Sequence, residues 1–214
     1  MRRVSLFKLA AMLVPLACAG PAFATPTNLG FEEATLHGWT TNGGPDGLAS
    51  VTPIQTNGSG GFTAPVEGVL FGVITAGLGE DVYTTLSQKF ALGAGGTISG
   101  YAGFLANDAI AHNDDAYLSV NGVNLLSWTV SDVGDYGSSG WTHFLFTAPT
   151  AGLYTLELGV ANHGDNGLSS QAVIDGVQVP GAAVPEPASW AMMVMGFGVA
   201  GGALRSRPRR ATLA

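Results

Sequence analysis

An all-β, antiparallel sandwich flanked by two membrane-handling segments is the architecture that the sequence predicts. Three observations predict it. Short runs of alternating apolar and polar residues recur between 25 and 179, separated by Gly, Asn, Asp, Ser and Pro. No stretch of that body keeps a long helical period. Both ends of the chain carry an apolar run beside basic residues.

The front reads Met1-Arg2-Arg3-Val4-Ser5-Leu6-Phe7-Lys8, then an apolar run through Leu9, Ala11, Met12, Leu13, Val14 and Leu16, and closes on Ala22-Phe23-Ala24. A basic start, a run short of a bilayer span and an Ala-x-Ala exit make a secretory signal peptide over 1–24, cut after Ala24. Cys18, the single cysteine, lies inside it, with Pro15 where a lipoprotein signal wants a branched apolar residue. Once the signal is removed the chain has no thiol, so core burial and any bound metal must stabilise it without cross-links.

Within 25–179 the expected strands are 49–55, 69–74, 82–90, 97–104, 116–120, 123–128, 141–147, 153–161 and 172–179. Tyr154, Leu156, Leu158 and Val160 fall on one face of their strand, Thr155, Glu157 and Gly159 on the other. Asn121-Gly122 between two apolar runs is the clearest hairpin signal. This number of short strands with such turns predicts a sandwich of jelly-roll character. A linker follows over 180–187. The uncharged run 188–204 has 17 residues, near the lower limit for a membrane-spanning helix at ~1.5 Å per residue. An Arg-rich tail occupies 205–214. Trp190 marks the headgroup level, and the positive-inside rule keeps Arg205, Arg207, Arg209 and Arg210 cytoplasmic, with the body outside.

Net charge is −7, unevenly placed: the body holds 14 acidic residues and one basic residue, Lys89. So acidic a surface repels phosphate backbones and argues against nucleic acid as a partner, while suiting divalent cations.

The run Pro185-Glu186-Pro187, then Trp190-Ala191-Met192-Met193, a Gly-rich apolar stretch and terminal arginines resembles a PEP-CTERM sorting signal of the PEPxxWA subtype. The resemblance implies recognition of Pro185, Glu186, Pro187 and Trp190 by an exosortase, after signal peptidase has acted. It also implies a precursor tethered transiently in the inner membrane with its body in the periplasm of a Gram-negative cell, then release to the surface, biofilm or exopolysaccharide matrix. Tails of this kind are also named after an ice-binding protein that carries one. Ice binding needs a regular Thr-rich face, and the threonines here are scattered.

Asn28-Leu29-Gly30-Phe31-Glu32 with Gly38-Trp39, and the closing Gln171-Ala172-Val173-Ile174-Asp175-Gly176-Val177, resemble the first and last strands of galactose-binding-like jelly rolls, among them carbohydrate-binding modules. That resemblance implies one structural calcium ion, with Glu32 (or Glu33) and Asp175 as ligands; otherwise Asp175 only caps a turn. For contact with a glycan the aromatic candidates are Tyr136, in the loop Gly134-Asp135-Tyr136-Gly137, and Trp39 and Trp141. Both tryptophans follow a Gly and precede a Thr, as if starting a strand, which fits core positions better. Asp108, Asp114, Asp115, Asp132 and Asp135 read as an acidic solvated turn and match no EF-hand spacing. His37, His112, His143 and His163 show no zinc spacing. A hydrolase triad through His163-Gly164-Asp165 lacks a Gly-x-Ser-x-Gly elbow, so catalysis is not expected. The expected function is a non-enzymatic, polysaccharide-associated surface protein, the alternative a purely structural one without a ligand.

Overall fold

The computed structural model describes residues 26–180, apart from 45, 58 and 166. The signal segment, the Pro-Glu-Pro motif with Trp190, and the apolar run 188–204 lie outside the described residues. Among the described residues no helix is long and apolar enough to cross a membrane.

The strands are β1 (Thr40–Asn42), β2 (Leu48–Thr52), β3 (Gln55–Thr56), β4 (Gly61–Phe62), β5 (Phe71–Thr75), β6 (Thr84–Leu92), β7 (Thr97–Leu105), β8 (Asp115–Val120), β9 (Val123–Thr129), β10 (Thr142–Thr147), β11 (Gly152–Ala161) and β12 (Gln171–Gln178). They form an antiparallel sandwich of two five-stranded sheets, ordered β1-β6-β11-β8-β9 and β10-β7-β12-β5-β2, plus the hairpin β3-β4. Among the described residues helix is confined to a 3₁₀ turn, Ile110–His112, and one α turn, α1 (Val130–Val133). Thr129 and Asp132 cap α1 reciprocally.

All nine expected runs are strands, with shifted ends that have local causes. The run 49–55 divides at Pro53, which has no N–H for a ladder; Thr52 Oγ1 instead bonds the main chain of Ile54. β5 starts at Phe71 because the N–H groups of Val69 and Leu70 are given to Glu32. Asn121 and Gly122 both lie at positive φ (49° and 77°), as a two-residue hairpin with the native twist requires. β1, the β3-β4 hairpin and α1 are too short to show a period, and the sequence did not predict them.

The main core lies between the sheets. On β11, Tyr154, Leu156, Leu158 and Val160 point inward, against Phe104, Ile74 and Ile174 among others. Each such side chain contributes about 1.5–3 kcal/mol by leaving water. Phe71, Val73, Leu105 and Val173 face the other side of the second sheet, where Phe62 of β4 and Trp141 cover them. β5 and β12 are therefore apolar on both faces, which explains why they read as continuous rather than alternating runs.

Candidate functional site

The first sheet leaves its outward face open. Register places Thr40, Ser87, Glu157 and Ser119 in one row across β1, β6, β11 and β8, with Thr85, Gly159 and Tyr117 in the next. Lys89 sits opposite Thr155. Thr27, Thr40, Ser87, Lys89, Thr155 and Glu157 line an open groove of about 810 Å³. Lys89 makes no ion pair among the described residues. At the Glu157 end of the groove, Tyr117 crosses over Gly159 and donates its hydroxyl to Glu157 Oε1 at 2.8 Å. Tyr83 meets the Tyr117 ring edge-on at 5.1 Å and donates to Asp115 Oδ2 at 2.8 Å. Burial first, then the hydrogen bond and charge of the partner carboxylate, raise both phenol pKa values well above the ordinary 10. Both remain neutral donors at any pH the protein meets.

Gly159 is required here by close approach: a Cβ would fall within the Tyr117 ring. Gly159→Val is expected to lift the ring off the sheet at a cost of about 1–3 kcal/mol, read as a lower urea midpoint. An unshifted midpoint would show that Tyr117 does not depend on that gap.

Beside Tyr83, His163 is clamped between two carboxylates. One ring nitrogen contacts Asp81 and Nε2 lies 2.9 Å from Asp115 Oδ1. With both nitrogens engaged by acids, neither is left to activate a serine, so the triad imagined from His163-Gly164-Asp165 is not assembled. Burial depresses the His163 pKa, but the hydrogen bonds and charges of Asp115 and Asp81 outweigh it and the net shift is upward. The stabilisation from this clamp is therefore complete below the ordinary value of 6.5 and is lost as pH rises through the higher folded value. The melting temperature is expected to fall across that window, and His163→Gln to flatten the fall. A variant with the full slope would exclude His163 as its source. Asp114 and Asp175, raised chiefly by burial, act in the same direction over a window that begins at 3.8.

The two ends of the domain meet at one loop. Asp175, 0% exposed on β12, accepts the N–H groups of Val66 (2.7 Å) and Glu67 (3.1 Å) on Oδ2 and that of Gly176 (2.7 Å) on Oδ1. Glu32 Oε1 accepts those of Val69 (2.9 Å) and Leu70 (3.0 Å). The Glu67 carboxylate lies against Gly30. Two carboxylates from the ends of the domain thus hold the segment 66–70, which itself contributes Glu67. Both Asp175 oxygens are taken by backbone N–H groups, while Glu32 Oε2 and the Glu67 carboxylate accept no hydrogen bond among the described residues. Glu33 is turned elsewhere, its Oε2 3.0 Å from His37 Nδ1 at the surface. Glu67 escaped the sequence reading because no motif marks it.

Of the aromatic candidates, Trp39 is 8% exposed, stacks on Phe31 at 5.1 Å and donates its indole N–H to Asn28 O, so it belongs to the core. Trp141 packs edge-on to Phe62 and Phe71 and donates to Ala64 O. Tyr136 is 40% exposed, with its backbone held by Asp108 O and Asn57 Nδ2. The acidic stretch is not uniformly solvated: Asp108 and Asp114 are buried, the latter accepting Ser170 Oγ (2.6 Å) and the His163 N–H (3.0 Å). Tyr83 and Tyr117 were not singled out from sequence. Their signal was strand parity, which puts Tyr117 on the same face as Asp115, opposite Ala116 and Leu118.

Residues 183–210 match the model of the PEP-CTERM protein-sorting motif. The motif implies export and exosortase-mediated sorting to the cell surface. No curated protein matches the sequence. Among solved structures the sandwich is similar to TmCBM61 in complex with β-1,4-galactotriose, at 21% identity and a TM-score of 0.46, covering 71% of this chain and 93% of that one. It is also similar to the CBM22-1 xylan-binding domain of Paenibacillus barcinonensis Xyn10C, at 20% identity and TM-score 0.39, covering 70% and 89%. A third is the K1 cleaved adhesin domain of Lys-gingipain from Porphyromonas gingivalis W83, at 16% identity and TM-score 0.42, covering 69% and 93%.

Proposed function

We propose that the sandwich is a non-catalytic polysaccharide-binding module, displayed by sorting at the cell surface or in the exopolysaccharide matrix, and that it binds on the outward face of β6, β11 and β8. The observation that carries this reading is the Tyr117–Glu157 pair at the end of the groove. The partly exposed Tyr117 ring offers an apolar surface to a pyranose, while Glu157, Ser87, Thr155 and Lys89 take hydroxyls around it. Affinity electrophoresis through gels containing galactan, xylan or the host's exopolysaccharide tests it. Retardation in at least one gel is the expected result; free migration in all of them would leave a structural surface protein without a ligand.

Export begins with the signal 1–24, and the precursor is held in the inner membrane through 188–204 with its body in the periplasm of a Gram-negative cell. We also propose that one structural calcium ion binds beside Glu32 and Asp175, where the two ends of the domain meet at the segment 66–70. Saturating calcium at about 100 times its dissociation constant is then worth about 2.7 kcal/mol of stability. Calorimetric melting with calcium and with chelator should differ accordingly, and coincident melting curves would remove the ion.

A further inference from the structure

We infer that Asp108, His112 and Asp165 form a site for one divalent transition-metal ion of the zinc type. The 3₁₀ turn Ile110–His112 folds His112 back beside Asp108, with the His112 N–H on Ala109 O at 2.9 Å. Asp165 arrives from the loop between β11 and β12, its Oδ2 3.2 Å from His112 Nδ1. One ligand atom from each of the three side chains lies within 4.8 Å of the other two.

The burial of Asp108 is the independent observation. This residue is 4% exposed, and among the described residues its carboxylate accepts only the N–H of the adjoining Ala109, on Oδ1 at 2.6 Å. Among the described residues no donor from another element reaches it. A charge withdrawn from water in this way requires a compensating partner. Lys89, the sole lysine or arginine of the body, lines the groove instead. The neighbouring buried residue, Asp114, is another acid. A cation between Asp108, Asp165 and His112 supplies the missing charge. The imidazole decides which cation: calcium and magnesium take oxygen, whereas a mixed nitrogen and carboxylate set suits zinc, manganese or cobalt. Three protein ligands leave a further position for water or for a group on a partner.

The ion has a structural consequence for the rim of the sandwich. Asp108 O accepts the Tyr136 N–H at 3.0 Å, and Asp135 Oδ1 accepts the Ile110 N–H at 2.7 Å. Metal binding therefore ties together the loop before β8, the loop before β12 and the loop that carries Tyr136.

The test is titration of the metal-stripped full chain with zinc by calorimetry, and with cobalt by visible absorption. Saturable one-to-one binding is expected, weakened about tenfold or more by His112→Ala and by Asp165→Asn. Asp165 is partly exposed, so its variant keeps the fold even where another does not. Glu32→Gln, His37→Ala and His163→Gln should bind as the parent does. Absence of saturable binding by the parent chain, binding unchanged in both His112→Ala and Asp165→Asn, or binding lost instead with His37→Ala or His163→Gln would each overturn the assignment.

Discussion

Asp175→Ala is expected to lower the unfolding free energy by about 2–4 kcal/mol, because it removes the acceptor of three backbone donors at once, one of them buried and two partly buried. Val66, Glu67 and Gly176 all give their N–H groups to this one side chain. An orphaned buried donor costs about 1–3 kcal/mol, and relaxation of the segment 66–70 recovers part of the sum. Asp175→Asn keeps the shape but replaces one acceptor oxygen with a donor, so its loss should fall between alanine and the parent. Urea denaturation followed by far-ultraviolet circular dichroism gives the numbers. A loss below about 1 kcal/mol for alanine, in the range of an ordinary surface change, would show that the loop does not depend on Asp175.

Removal of Pro185-Glu186-Pro187 is expected to abolish processing of the tail. The match of residues 183–210 to the PEP-CTERM sorting motif carries this expectation. In an exosortase-bearing host, the surface fraction of the parent protein should end near 185–187 by mass spectrometry and lack the apolar run 188–204. The deletion variant should keep its tail and remain with the membrane fraction. An intact tail on the surface-exposed parent would contradict processing at this motif.

The sandwich was legible because alternation of apolar and polar positions survives in long strands such as β6 and β11, while β5 and β12, buried on both faces, stand out as continuous apolar runs. Where a strand is shorter, as in β1, β3 and β4, packing decides it: Phe62 is drawn onto Phe71 and Trp141 by burial that local sequence does not encode. The clamp at Glu32 and Asp175 could be read from the motifs at the two ends, but Glu67 could not, since only the closed loop brings it to Gly30. The proposed binding face was legible in part. Parity marks Tyr117 as outward, yet the gap that receives its ring belongs to Gly159 on another strand, joined to it only by register. Asp108 and His112 stand at a spacing that one helical turn closes, whereas Asp165 reaches them through the pairing of β8 with β11, a fact of topology.

The central claim, that the face of β6, β11 and β8 holds polysaccharide, is tested most directly by comparing Tyr117→Ala with the parent in titrations against whichever polysaccharide retards the parent in gels. Loss of a central aromatic contact is expected to cost about 2 kcal/mol, roughly a thirtyfold weaker association, while Tyr136→Ala on the rim changes it little. Tyr117→Ala binding as tightly as the parent would contradict the account and move the ligand to another part of the sandwich.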